Sequence, residues 1–101
     1  MRRRNQKRAG RPRVPRKVGF SPEFYFFKPQ GTPLRRLRSI ELSVEEVEAI
    51  RLKYLEKLEQ KECATRMNIS QSTFQRVLSG ANEKISSAII NGYAIKITKQ
   101  E

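Results

Sequence analysis

Gln75 and Arg76 stand side by side in the stretch ECATRMNISQSTFQRVL, residues 62–78. A carboxamide can pair bidentately with adenine and a guanidinium with guanine, so both side-chain types suit the edges of base pairs. Ahead of them, Gln71, Ser72 and Thr73 fall where a helix is expected to open, a place where free amides and hydroxyls meet phosphate. Ser79 continues the polar row. At about 100° per residue, Ser72, Arg76, Ser79 and Glu83 share one face, with Gln75 at its flank. Glu83 would repel phosphate, so only the first half of this helix is expected to enter a groove.

Other chemistries find little support. The chain has no histidine and one cysteine, which leaves out the usual general base and the commonest metal ligand. No glycine loop of the phosphate-cradling kind is present either. The expectation is a protein that is not an enzyme, with no cofactor and no metal. Cys63 falls in the apolar pattern next to Ala64 and reads as a small core residue rather than a redox sensor.

The elements that would position the polar row follow from the same stretch. Ala64 is small enough for a second helix to cross closely, and Asn68 tolerates the left-handed turn that follows. Ile69 is an apolar anchor and Ser70 an N-cap. Phe74, Val77, Leu78, Ala81 and Ile85 then turn inward. Small residue, left-handed turn, anchor and cap at these offsets make a helix-turn-helix. A generic two-helix corner would share the apolar stripe, but it would not need all four slots filled.

Upstream, Ser43-Val44-Glu45-Glu46 matches a capping box and opens a first long helix. Val44, Val47, Ile50, Tyr54, Leu55 and Leu58 are expected on its buried face, with Glu45, Glu48 and Glu56 outside. Residues 43 to about 92 read as helical, with Gly92 as the stop. Before them, Phe24 to Phe27 form an aromatic run between Pro22 and Pro29, a brief strand followed by a turn. Residues 93–97 alternate as a second strand with no other apparent mate, so 24–27 and 93–97 are expected to pair, within one chain or between two. The aromatic run reads as core or dimer interface. Stacking on unpaired bases is the alternative, and it would favour RNA.

Charge is unevenly spread. Of the net +12, +9 lies in residues 1–17: Arg2, Arg3, Arg4, Lys7, Arg8, Arg11, Arg13, Arg16 and Lys17, with no acid among them. Such an arm cannot bury enough apolar surface to order itself, and a polyanion is its natural partner because each neutralised phosphate releases counterions. Gly10-Arg11-Pro12 is the centre of a minor-groove hook, yet Ala9 stands where an arginine should adjoin the glycine. A generic phosphate-binding arm is the reading carried forward, against a merely solubilising tail. No apolar run reaches the roughly 18 residues of a membrane span. With no apolar stretch behind the charged start and a single cysteine, a cytoplasmic location is expected.

Three blocks carry a resemblance to a known family: PRKVGFSPEFYFFKPQGTPL, LSVEEVEAIRLKYLEKL and ATRMNISQSTFQRVLSGANEKI. Together they look like the small prokaryotic family called domain of unknown function 134. The most specific parts are Phe27, Lys28, Pro29, Gly31, Pro33 and Leu34, and the run Ser72 to Arg76. The resemblance covers roughly residues 11–97. It implies a predicted DNA-binding protein whose helix-turn-helix is similar to region 4 of bacterial sigma factors. Cys63, where alanine is more usual, and the extended basic start depart from the family pattern.

The fold expected is therefore mainly α: a disordered basic arm at 1–17, a helix-turn-helix domain at 18–97 with a small β element, and a tail at 98–101. The function expected is sequence-specific binding of double-stranded DNA in transcription regulation, with a second copy of the chain as a further partner. No membrane and no small-molecule ligand enter this reading. An RNA-binding or ribosome-associated protein, and a module docking on RNA polymerase, are the alternatives.

Overall fold

The computed structural model describes residues 16–22 and 25–99. Its elements run β1 (Phe26–Phe27), a 3-10 turn (Leu34–Arg36), β2 (Ser39–Ser43), α1 (Val44–Ile50), a π-helical turn (Arg51–Leu55), α2 (Gln60–Met67), α3 (Gln71–Asn91) and β3 (Ala94–Thr98). The mainly helical body with a small sheet agrees with the class read from the sequence.

The helix ends form as their residues dictate. At Ser43 the capping box is complete. The Glu46 amide donates to Ser43 Oγ at 3.1 Å, and the Ser43 amide donates to Glu46 Oε1 at 2.9 Å. Lys84 Nζ reaches the same oxygen from α3 at 3.0 Å, so one carboxylate joins the start of α1 to the middle of α3. Gly92 ends α3 at φ 72°, in the left-handed region that costs glycine nothing.

The main core lies among the three helices. Ala49, Leu52, Cys63, Ala64, Met67, Phe74 and Leu78 are buried together, with Ile50, Leu58, Ile69 and Val77 packed around them. Farther along the same face of α3, Ala88 is buried, as are the sheet residues Leu42, Ala94 and Ile97.

The buried face of α1 differs from the expected one. Ala49 and Leu52 are fully buried and Glu48 is only 2% exposed, whereas Tyr54 and Leu55 are 49% and 76% exposed. Two causes act together. α1 is covered on two sides: Val47 and Ile50 line an apolar cleft with Leu42, Ile95 and Ile97 of the sheet, while Ala49 and Leu52 join the helical core. The turn after Ile50 is also wider than α-helical, with the Glu56 amide bonded to the Arg51 carbonyl at 2.9 Å, so the phase extrapolated to residues 54 and 55 is wrong.

The sheet corrects two further expectations. β3 does have another mate: β2 pairs with it in parallel, Ser39 to Ala94 through Ser43 to Thr98. The expected pairing of the aromatic run with 93–97 does form, within the chain: β1 pairs with β3 antiparallel, Phe26 to Lys96 and Phe27 to Ile95, giving the order β1-β3-β2. The aromatics are not core. Tyr25, Phe26 and Phe27 are exposed in the single chain, the last by 52%, although Phe27 lines apolar clefts with Ile50, Ile89 and Ile95. Phe24 lies outside the described residues.

Candidate nucleic-acid interface

The turn between α2 and α3 is built from the four slots legible in the sequence. Asn68 takes φ 61° and ψ 43°, the left-handed conformation required to reverse the chain. The Ile69 amide closes back on the Ala64 carbonyl at 3.0 Å, and Ala64 is buried where the helices meet. Ser70 caps α3, its Oγ accepting from the Thr73 amide at 3.1 Å.

From that cap, α3 divides by face. Phe74, Leu78 and Ala81 are buried, and Val77 and Ile85 are half-buried beside them. Gln71, Ser72, Gln75, Arg76 and Ser79 are exposed. Thr73 differs: it is half-buried, and its Oγ1 accepts from Ser70 Oγ at 2.8 Å, so its hydroxyl is committed to the cap. Gln75 Nε2 donates to Ser79 Oγ at 3.3 Å, which holds the carboxamide along the helix. Arg76 makes no ion pair with any described residue. From Gln71 to Asn82 the helix carries no acid, and the first one, Glu83, is exposed as expected.

Of the arm residues, Arg16 and Lys17 are described; Arg2, Arg3, Arg4, Lys7, Arg8, Arg11 and Arg13, and the hook centre at Gly10, lie outside the described residues. The Lys17 amide donates to the carbonyl of Met67, the last residue of α2, at 3.2 Å. Arg16 lines a shallow cleft with Glu46, Val77 and Lys84. The chain therefore joins the body at the end of α2, with Arg16 in a cleft between the start of α1 and α3.

Sequence reasoning missed a cluster behind this junction. Glu48 Oε2 accepts from the Gly19 amide at 2.9 Å, and Arg51 grips both oxygens of the same carboxylate at 2.8 and 3.1 Å. Arg51 also reaches Glu56 at 3.1 Å and lies 5.1 Å from the ring centre of Phe20. The hydrogen bond to Glu48 raises the Arg51 pKa further above its usual range, with burial opposing. The available signal was the phase of Glu48, four residues ahead of Leu52 and next to Ala49. A second basic group, Arg35, Arg36 and Arg38, is exposed around the 3-10 turn; the Arg38 carbonyl accepts from the Ala94 amide at 2.8 Å. That contact places the group at the far end of α3 from Gln71.

Burial pushes the Cys63 thiol up from its ordinary pKa, and Sγ lies 3.6 Å from the Leu58 carbonyl. Among the described residues no helix is long and apolar enough to cross a membrane.

The chain is similar to proteins carrying the name UPF0251. One from Halothermothrix orenii is 55% identical over 86 residues, covering 85% of this chain and 64% of that protein. One from Desulforudis audaxviator is 53% identical over 88 residues, covering 87% and 58%. One from Moorella thermoacetica is 49% identical over 87 residues, covering 86% and 58%. The chain thus spans about three-fifths of the length of these curated relatives. No solved structure matches it. The family model described as "Protein of unknown function DUF134" matches residues 2–101, and the chain belongs to that family.

Proposed function

We propose that the chain is a sequence-directed binder of double-stranded DNA that acts in transcription regulation in the cytoplasm, with the first half of α3 in the major groove. One observation carries this reading: the row Ser72, Gln75, Arg76 and Ser79 is exposed and acid-free on a helix whose opposite face is locked into the core. A rigid helix holding hydrogen-bonding tips clear of the body is what reading base edges demands. The basic arm adds phosphate attraction. A second copy would supply a second reading helix. The exposed apolar group formed by Phe27 and Ile89, which line one groove, offers it a contact away from that row.

Selection of bound fragments from random duplexes tests the proposal. A shared consensus is expected, with two-fold symmetry if two copies read it; recovery of unrelated fragments would defeat sequence-directed binding. A second reading rests on the exposed Tyr25, Phe26 and Phe27, which have the faces needed to stack on unpaired bases. Structured RNA that outcompetes the selected duplex at physiological salt would favour it.

A further inference from the structure

A left-handed backbone crowds Cβ against the following carbonyl, so glycine or asparagine usually takes that conformation. Among the described residues with positive φ, Gly31, Gly92 and Asn68 are of these types. Lys57, at φ 59°, is not. It lies in the short link between the π-helical turn and α2, is exposed, and makes no ion pair with any described residue. Asparagine would settle there with less strain. The feature that the strain retains is the ammonium group, and strain kept at a surface points to a task for the side chain.

The link leads into the end of α2 that touches the start of α3. Gln60 Nε2 donates to the Gln71 carbonyl at 3.3 Å, and Ala64 is buried where the two helices meet. Gln60 and Ala64 therefore mark the side of α2 that faces α3. Lys61 lies about 60° round the helix from Ala64, on the exposed flank next to that side. Glu62 and Arg66 lie on the other flank, where Arg66 lines a cleft with Lys17, Gly19 and Arg51. Lys61, like Lys57, makes no ion pair with any described residue. The acids nearby in sequence are mostly occupied: Arg51 holds Glu56 at 3.1 Å and Arg66 holds Glu62 at 3.2 Å. Glu59 alone is left to oppose a phosphate.

We infer that Lys57 and Lys61 grip the phosphate backbone at the rim of the groove that α3 enters. This rests on the DNA-binding reading and adds a second surface to it: α3 meets base edges, while the link and the start of α2 hold the strand alongside. Contacts to phosphate fix register and orientation but carry no sequence information, so the pair positions the duplex and leaves the choice of sequence to α3. Ammonium groups suit that task, being compact charges on flexible stems that need no fixed approach angle.

The test uses the full chain with Lys57→Asn, Lys61→Gln and, as a control on the sheet, Lys96→Gln. Affinity for the selected duplex and for an unrelated one is measured at several salt concentrations, and melting is followed by circular dichroism. Lys57→Asn and Lys61→Gln should each weaken binding about fivefold on both duplexes. Each should also reduce the slope of log affinity against log salt by about 0.9, the share of one phosphate. Lys96→Gln removes the same charge and should leave the slope unchanged. Lys57→Asn should melt at the wild-type temperature or above it, because it relieves strain. Unchanged slopes in both lysine variants, an equal fall in Lys96→Gln, or a loss confined to the selected duplex would each overturn the inference while leaving the DNA reading intact. Lower melting in Lys57→Asn would show that this side chain serves the fold and overturn its part. A wild-type chain that binds no duplex would overturn both readings.

Discussion

The two ends of α3 are built for opposite surroundings. Its first half is clamped on one side by Phe74 and Leu78 and offers Ser72, Gln75, Arg76 and Ser79 on the other. Its last turns bury only Ala88 and leave Ile89 and Ile90 exposed by 73% and 79%. The first end rests on the α2 turn, the second on the sheet. Polar tips on a rigid support suit a wet groove of base edges; adjacent exposed isoleucines suit a dry protein contact. One continuous helix thus carries two unlike surfaces along its length, with Glu83 near the middle as its first acid.

Substitutions at either end test this division. The largest effect is expected from Phe74→Ala, which empties the core beneath the polar end. It should cost about 3–5 kcal/mol of stability in denaturant unfolding, enough to unfold much of a domain this small. Arg76→Ala should leave the melting temperature unchanged and weaken binding to the selected duplex by about 1–3 kcal/mol, with relaxed preference at one base position. If it instead disturbs a complex with RNA polymerase and spares DNA affinity, the row is a protein-docking surface. Asn68→Ala forces a Cβ-bearing residue without a polar tip into φ 61° and should cost about 1–2 kcal/mol, while Asn68→Gly should be close to neutral.

Smaller effects test the edges. The raised Cys63 pKa means that the folded state favours the neutral thiol. Its contribution is therefore whole below the ordinary thiol pKa and is lost as pH rises from there through the raised folded value. Cys63→Ala should flatten that alkaline fall in unfolding curves, and Cys63 should resist alkylation until the protein is denatured. Glu83→Gln should tighten DNA binding roughly twofold at low salt and not at all at high salt. A larger gain would mean that α3 enters the groove beyond its first half.

What could be read from the sequence depended on how local the cause was. The α2–α3 turn was legible because Ala64, Asn68, Ile69 and Ser70 each meet a requirement set by residues within one helical turn. The capping box at Ser43 and the stop at Gly92 were legible for the same reason. Strand β2 was missed because SIELS carries little strand signal and runs straight into a cap; its partner lies at the other end of the domain. The face of α1 was misread because a helix covered on two sides has no single stripe, and because the π turn shifts the phase after Ile50. Glu48 is the sharpest case. A glutamate reads as surface unless its partner is known, and Gly19 is not a residue whose amide announces itself. The aromatic run reads as core or dimer interface by composition, and within the single chain two residues at a sheet edge are left exposed.

The parallel pairing of β2 with β3 has a kinetic consequence. The strands flank all three helices in sequence, so their ladder closes a loop that contains the whole helical body. Contacts of such long span pay their closure entropy late, whereas the Asn68 turn needs only its neighbours. The reading corner should thus assemble early in folding, with the sheet zipping shut behind it as the final step.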